Sequence, residues 1–265
     1  MISELQQPRD EEGEHRQRRQ HAVRDPRLGG EAGQETDEEL NADKTEPVIE
    51  RHAALALAGA HVALAARTVA QLEETRRMIE QSGGTAVAVP TDVTKEDDVD
   101  RLVEESLGLS GRLEILVNNV GSAPIATIDK MEPELFDHII ASNIRPVYLC
   151  SRAVWPIMAS GGGGAIVNIS SVAANDPFPG FAAYGAAKAF VNTYTRALAA
   201  EGAEAGIRVY GVAPGAVDTQ MLRSAFPDYP AEKTLNPDDV AVLVESLLSP
   251  AGRYISGETV TIRRT

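Results

Sequence analysis

The chain predicts an α/β fold, doubly wound on a parallel sheet, and three observations carry that prediction. From residue 53 onward, short apolar runs alternate with stretches of helical periodicity, the signature of βα units. The runs are rich in Val, Ile, Leu and Ala, as strands buried on both faces of a parallel sheet require. At 265 residues and 43% hydrophobic content the chain can bury one substantial core, and sheets of this size are routinely single domains.

Composition breaks sharply near residue 46. Residues 1 to 50 hold 14 Asp/Glu against 7 Lys/Arg and only 11 apolar residues. That is too little apolar surface to offset the entropy of ordering the segment. Residues 1–45 therefore read as a charged, disordered segment, with a charged amphipathic helix over Glu31 to Asp43 as the one exception, and residues 46–265 as the folded domain. In that domain the strand candidates are His61 to Ala66, Thr85 to Val89, Leu113 to Val117, Ala165 to Ile169, Ile207 to Ala213 and Thr259 to Ile262. Helical periodicity covers Val69 to Gln81, Glu96 to Leu107, Glu134 to Met158, Phe181 to Ala203 and Pro237 to Leu248. Asn236-Pro237 begins the last of these, since Pro suits a first helical turn. Ligand sites in such a sheet lie at the strand C-termini.

Tyr184-Gly185-Ala186-Ala187-Lys188 is the strongest chemical signal. Spacing of i, i+4 places phenol and ammonium on one helix face, where the positive charge is expected to favour phenolate and suit the Tyr to acid–base work. Alone, the pair reads equally as a half-buried Tyr beside a snorkelling Lys. Thirteen residues upstream, the strand Ala165 to Ile169 ends in Ser170-Ser171. A hydroxyl there can donate to a substrate carbonyl oxygen as it gains charge, or it can simply cap the loop. Asn143 falls inside a predicted helix, against its propensity, which is a functional hint or the mark of a solvent-facing side chain.

Asn118-Asn119-Val120-Gly121, Asn143, Ser171, Tyr184 with Lys188, and Pro214-Gly215-Ala216-Val217-Asp218-Thr219 follow one another as they do in short-chain dehydrogenase/reductases. The chain resembles that family over roughly residues 53 to 262, with Val120 where the family usually has Ala. The resemblance implies a Rossmann-like fold and a catalytic tetrad of Asn143, Ser171, Tyr184 and Lys188. Tyr184 would exchange a proton with the substrate oxygen while hydride passes between nicotinamide and substrate carbon. Lys188 would hold the nicotinamide ribose and lower the Tyr184 pKa, Ser171 would position the substrate oxygen, and Asn143 would order a water. On the cofactor side, Asp92 with Val93 would meet the adenine, or Asp92 would serve only as a helix cap. Asn119 would approach the adenosine ribose, and Val217 with Thr219 would flank the carboxamide. At the end of the second family strand, Ala66 is followed by Arg67 where an NAD enzyme tends to carry an acid. A guanidinium fork suits a 2′-phosphate, which favours NADP(H) over NAD(H).

One hallmark of the family is missing. A TGxxxGxG turn should join a first strand to the first helix and bring backbone N–H groups to the cofactor phosphates. Residues 44 to 52 hold no glycine, and the Gly29, Gly30 and Gly33 cluster follows no apolar strand. Either Pro47 to Ile49 supplies a makeshift strand or the usual first strand is lacking, and its place in the family is the middle of the sheet. The intact tetrad points to an NADP(H)-dependent carbonyl reductase or alcohol dehydrogenase. The missing turn favours a second class, a non-catalytic or cofactor-deficient relative acting as a binding or interaction subunit.

The remaining expectations concern partners. A formal charge of -14 repels nucleic acid and anionic lipid heads. The longest apolar stretch, Ala53 to Ala66, falls short of a membrane span. A single cysteine, Cys150, excludes an intrachain disulfide and a Cys-based metal site, and fits a cytoplasmic protein with no metal. The partner expected is a small-molecule carbonyl or alcohol. The long helices Glu134 to Met158 and Phe181 to Ala203 resemble those through which family members pair, implying a homodimer or homotetramer.

Overall fold

The computed structural model describes residues 59–264 together with Leu55 and Ala56. The segment 1–45, the helix expected over Glu31 to Asp43 and the strand considered at Pro47 to Ile49 lie outside the described residues. The elements run β1 (His61–Ala66), α1 (Val69–Gln81), β2 (Thr85–Pro90), α2 (Glu96–Ser110), β3 (Ile115–Asn118), α3 (Pro133–Asn143), α4 (Arg145–Ser160) and β4 (Gly164–Ile169). They continue with α5 (Ala182–Gly202), β5 (Ile207–Pro214), α6 (Gln220–Ala225), α7 (Pro237–Leu248) and β6 (Thr259–Ile262). Every strand pairing is parallel, so every strand C-terminus opens on the same side as its neighbour's.

One helix expected from the sequence is two. Periodicity runs unbroken from Glu134 to Met158, yet one helix ends at Asn143 and the next starts at Arg145, with Ile144 between them still in the α region (φ -105°, ψ -53°). Pro146 is the cause. It has no N–H to donate to the Ser142 carbonyl, and its ring crowds that carbonyl. In the first turn of α4 its missing donor costs nothing. The break leaves Asn143 as the last residue of α3. By contrast, α7 begins as its sequence predicts: Asn236 Oδ1 accepts from Asp238 N, and Asp239 answers to Asn236 N in a capping box.

Among the described residues the strands form two pieces, β1 with β2 and a four-stranded β3-β4-β5-β6. In the four-stranded piece β4 and β5 are almost wholly buried, as interior strands should be. The β3 residues Ile115, Leu116 and Val117 are as apolar as theirs, but Ile115 is 38% exposed and the other two are only half-buried. No described strand lies on the free side of β3. The two-stranded piece has its own core, in which Val62, Leu64 and Ala86 meet Leu72 and Ile79 of α1 and Ala56. Helix α2 ties the pieces together, packing on β1 and β2 and on α4. The main core lies beneath α4 and α5 on one face, around Met158, Ile166, Leu198 and Val209, and beneath α7 on the other, around Val167, Tyr210, Val240 and Leu247.

Candidate active site

The expected reacting residues converge where β3, β4 and β5 end. Ser170 and Ser171 follow the last residue of β4, and α5 is drawn onto that strand end by two bonds. Ser170 Oγ donates to the Lys188 carbonyl at 3.1 Å, and Lys188 Nζ donates to the Ile169 carbonyl at 3.0 Å. Gly185 makes the approach possible, since a Cβ there would stand 2.7 Å from the Ala173 carbonyl oxygen. Ser171 caps the turn that follows it: its Oγ accepts from Ala173 N at 3.2 Å, and its hydroxyl is near enough to the Tyr184 phenol to pull that group's pKa down. Lys188 Nζ lies 5.8 Å from the centre of the Tyr184 ring.

Asn143 is fully buried, so it is not a solvent-facing residue of a continuous helix. Its Nδ2 donates to the carbonyls of Ile139 and Ser122, both at 2.9 Å. Its Oδ1 is buried with no hydrogen-bond partner. A Cβ added at Gly121 would stand 2.5 Å from that Oδ1 and 3.2 Å from Lys188 Nζ. Glycine is thus required beside Asn143 Oδ1 and Lys188 Nζ, and Ser171, Tyr184, Lys188, Gly121 and Asn143 gather in one place.

The electrostatics differ from the sequence expectation. Burial pushes the Tyr184 phenol above its ordinary value, and the bond to Ser171 pulls back only part of that rise. The nearby ammonium does not lower it, because Lys188 turns its Nζ to the Ile169 carbonyl and is itself drawn down to about 8 by burial. A buried phenol beside a buried amine favours the neutral form of each.

The residues expected on the cofactor side occupy the same end of the strands. Arg67 follows β1 directly and is exposed, and its charge adds to burial in lowering the His138 pKa. Asp92 follows β2, but its carboxylate is engaged locally. Oδ1 accepts from Thr94 N and Thr94 Oγ1 at 3.1 and 2.7 Å, and Oδ2 pairs with Lys95 at 3.4 Å. Burial raises this carboxyl, and the bonds from Thr94 and Lys95 outweigh it to hold the pKa below the ordinary value. Asp92 is not the cap of α2, whose N-cap is Lys95. Val93 is buried against Val99, Leu149 and Cys150. Asn119 is half-buried after β3. Val217 is buried and bridges to Leu235, and Thr219 caps α6 by accepting from Leu222 N at 3.3 Å.

The sequence profile described as short chain dehydrogenase matches residues 50–230. The chain belongs to the short-chain dehydrogenase/reductase family. It is 36% identical over 200 residues to 3beta-hydroxysteroid dehydrogenase 1 of Eggerthella lenta, covering 71% of this chain and 77% of that protein. It is 32% identical over 219 residues to Dehydrogenase/reductase SDR family member 4 of Homo sapiens, covering 78% and 79%. The solved structure of 7α-hydroxysteroid dehydrogenase complexed with NADH and 7-oxo glycochenodeoxycholic acid superposes with a TM-score of 0.76 at 29% identity, covering 82% of this chain and 87% of that one. The 3-ketoacyl-(acyl-carrier-protein) reductase from Brucella melitensis complexed with NADH gives 0.73 at 34%, covering 82% and 91%. The family is one of oxidoreductases on a Rossmann α/β fold, and this chain shares both.

Around Tyr184, Lys188 and Asn143 lie polar residues to which the motifs gave no role. Asn118 Nδ2 donates to Asn168 Oδ1 at 2.8 Å, and Asn168 Nδ2 to Thr195 Oγ1 at 2.9 Å, a buried chain that locks the ends of β3 and β4 to α5. Ser122 Oγ lies 2.7 Å from Ser142 Oγ and 3.2 Å from His138 Nε2, fixing the loop after Gly121 to α3. A polar residue inside an apolar strand, as Asn168 is, was the available signal for the first chain. Nothing in the spacing of Ser122 and His138 marked the second. Among the described residues no helix is long and apolar enough to cross a membrane.

Proposed function

We propose that this protein transfers hydride between NADP(H) and a carbonyl or alcohol substrate, with Tyr184 as the acid–base group. The observation that carries the reading is the gathering of Ser171, Tyr184, Lys188 and Asn143 around Gly121 at the end of β4. The cofactor fits its reaction end. A buried amine and an unpartnered amide oxygen face the same space beside a glycine, which suits the hydroxyls of a ribose. Lys188 and Asn143 would hold that sugar and a proton-carrying water, Asn119 the adenosine ribose, and Val217 with Thr219 the carboxamide. Bound there, the nicotinamide supplies or accepts hydride.

The chain's own residues govern the proton. Because burial keeps the Tyr184 phenol protonated at neutral pH, it stands ready to donate to a carbonyl oxygen that gains charge. Ser171 positions that oxygen and stabilises it. Lys188, still largely cationic at pH 7 with a pKa of about 8, keeps donors for the nicotinamide ribose. Arg67, exposed at the end of β1, is the residue to meet a 2′-phosphate, which is why NADP(H) is preferred. Asp92 contributes less than the motif suggests, since its carboxylate is already bonded to Thr94 and Lys95.

The test is ketone-dependent oxidation of NADPH and of NADH by the full chain and by Arg67→Asp. The expected result is turnover with NADPH preferred, and a preference that shrinks roughly tenfold in the variant, for loss of one charge-assisted contact. No ketone-dependent turnover with either cofactor would overturn the reading of the reaction, and an unchanged preference would remove Arg67 from it.

A further inference from the structure

Three segments that follow β3, β4 and β5 bring apolar side chains together beside Tyr184. Phe181 meets the Tyr184 ring edge-on at 5.3 Å, Phe178 lies 4.2 Å from Phe181, and Phe226 stacks on Phe181 at 6.5 Å with 19° between planes. Phe226 also reaches Phe178 at 6.2 Å and Tyr229 at 6.4 Å. Ile125 closes the set over Gly180. Gly180 has φ +92°, and a Cβ on it would stand 2.6 Å from Ile125 Cγ2, while its carbonyl accepts from Ala126 N at 3.1 Å.

These rings are more than a small core. Phe181 is buried, but Phe178 is 47% exposed and Ile125 42% exposed, so large apolar surface stays open next to the reacting phenol. The open surface is stiff: Pro124 precedes Ile125, Pro177 and Pro179 flank Phe178, and Pro227 follows Phe226. Within three residues of Ile125, Phe178, Phe181 and Phe226 the charged side chains are Arg223, Asp176 and Asp228. Arg223, the only basic residue of α6, pairs with Asp218 at 2.6 Å and donates to the Tyr229 carbonyl. Asp176 and Asp228 are acidic and would repel an anion.

We infer that these rings form the substrate wall for a neutral carbonyl compound with a rigid, apolar ring body, and that Phe178 and Phe226 set the preference for it. The inference rests on Tyr184 being the acid–base group. A stiff wall and a stiff ligand each lose little freedom on binding, so ring burial appears as affinity rather than being spent on ordering. A short or anionic keto compound gains no such burial and meets Asp176 and Asp228.

The test is binding, read by ligand-observed NMR on the full chain without turnover. The probes are 2-decalone, a neutral fused-ring ketone, and levulinate, an anionic linear keto acid. Decalone is expected to bind at least roughly tenfold more tightly, and Phe226→Ala to weaken it about tenfold while leaving levulinate unchanged. Phe226→Leu, which keeps an apolar side chain but loses the ring, should fall between, and it decides the matter if the Ala variant does not fold. Equal affinities for the two probes, tighter levulinate, no binding of either, or Phe226 variants that bind decalone like the parent would each overturn the inference. A chain that binds decalone as expected but reduces no ketone supports the wall and instead removes the hydride-transfer reading.

Discussion

Lys188 carries the clearest residue-scale consequence. Its buried ammonium has a pKa of about 8 against 10.5 for an ordinary lysine. Between those values the unfolded chain holds a proton that the folded chain has lost. Stability from this group therefore rises with pH through that window, and below pH 8 the fold carries the cost of a buried cation. The shift corresponds to roughly 3 kcal/mol. Urea unfolding of the parent and Lys188→Met at pH 7 and pH 10 should show the variant's relative advantage shrinking by an amount of that order. A difference that does not change with pH would mean that Lys188 is not buried as described. The same residue limits activity: reduction should decline above pH 8 as the ammonium that would hold the nicotinamide ribose is lost. Both Tyr184 and Lys188 were legible in the sequence, because i, i+4 spacing on a helix fixes a shared face. The direction of the Tyr184 shift was not, because spacing says nothing of the Ile169 carbonyl that takes the Lys188 proton donor.

At the scale of elements, the six apolar runs became six parallel strands because a near-continuous run of branched residues between turn signals has few alternatives. The helix from Glu134 is two because periodicity continues across Pro146 although the hydrogen-bond ladder breaks there. That break matters to the site, since it places Asn143 at a helix end with its amide bonded to Ile139 and Ser122. The free side of β3 is the other consequence at this scale. A strand composed of Ile115, Leu116 and Val117 is suited to an interior position yet is half-exposed, and the family's phosphate-binding turn would follow a strand seated there. Residues 44 to 52 bring Glu46, Glu50 and Pro47 and no glycine, which adds negative charge and removes a donor where a dianion should bind. Calorimetric titration of NADPH is expected to give weak binding by the unmodified chain. It should strengthen at least tenfold in a chimera whose residues 1–52 are replaced by a strand and a TGxxxGxG turn, on the order of one or two recovered charge-assisted bonds. Low-micromolar binding by the unmodified chain would contradict this.

For the whole molecule, the association of copies and the reaction remain to be predicted. Tyr148 on α4 is 44% exposed and Phe190 on α5 is 38% exposed, with Phe190 stacked on Tyr194 at 5.3 Å. Aromatic surface on the outer faces of these two helices is what a paired α4–α5 interface would cover. Light scattering on the full chain should report a dimer or tetramer, and a monomer at micromolar concentration would count against it. The central claim is that Tyr184 moves the proton. It is tested most directly by kcat and KM for ketone reduction at saturating NADPH, comparing the parent with Tyr184→Phe, which keeps the ring against Phe181 and loses only the hydroxyl. In the Phe variant kcat should fall by at least about a hundredfold, the usual worth of a general acid, with ketone KM changed by no more than about threefold. Turnover by the Phe variant within a factor of about three of the parent would contradict it.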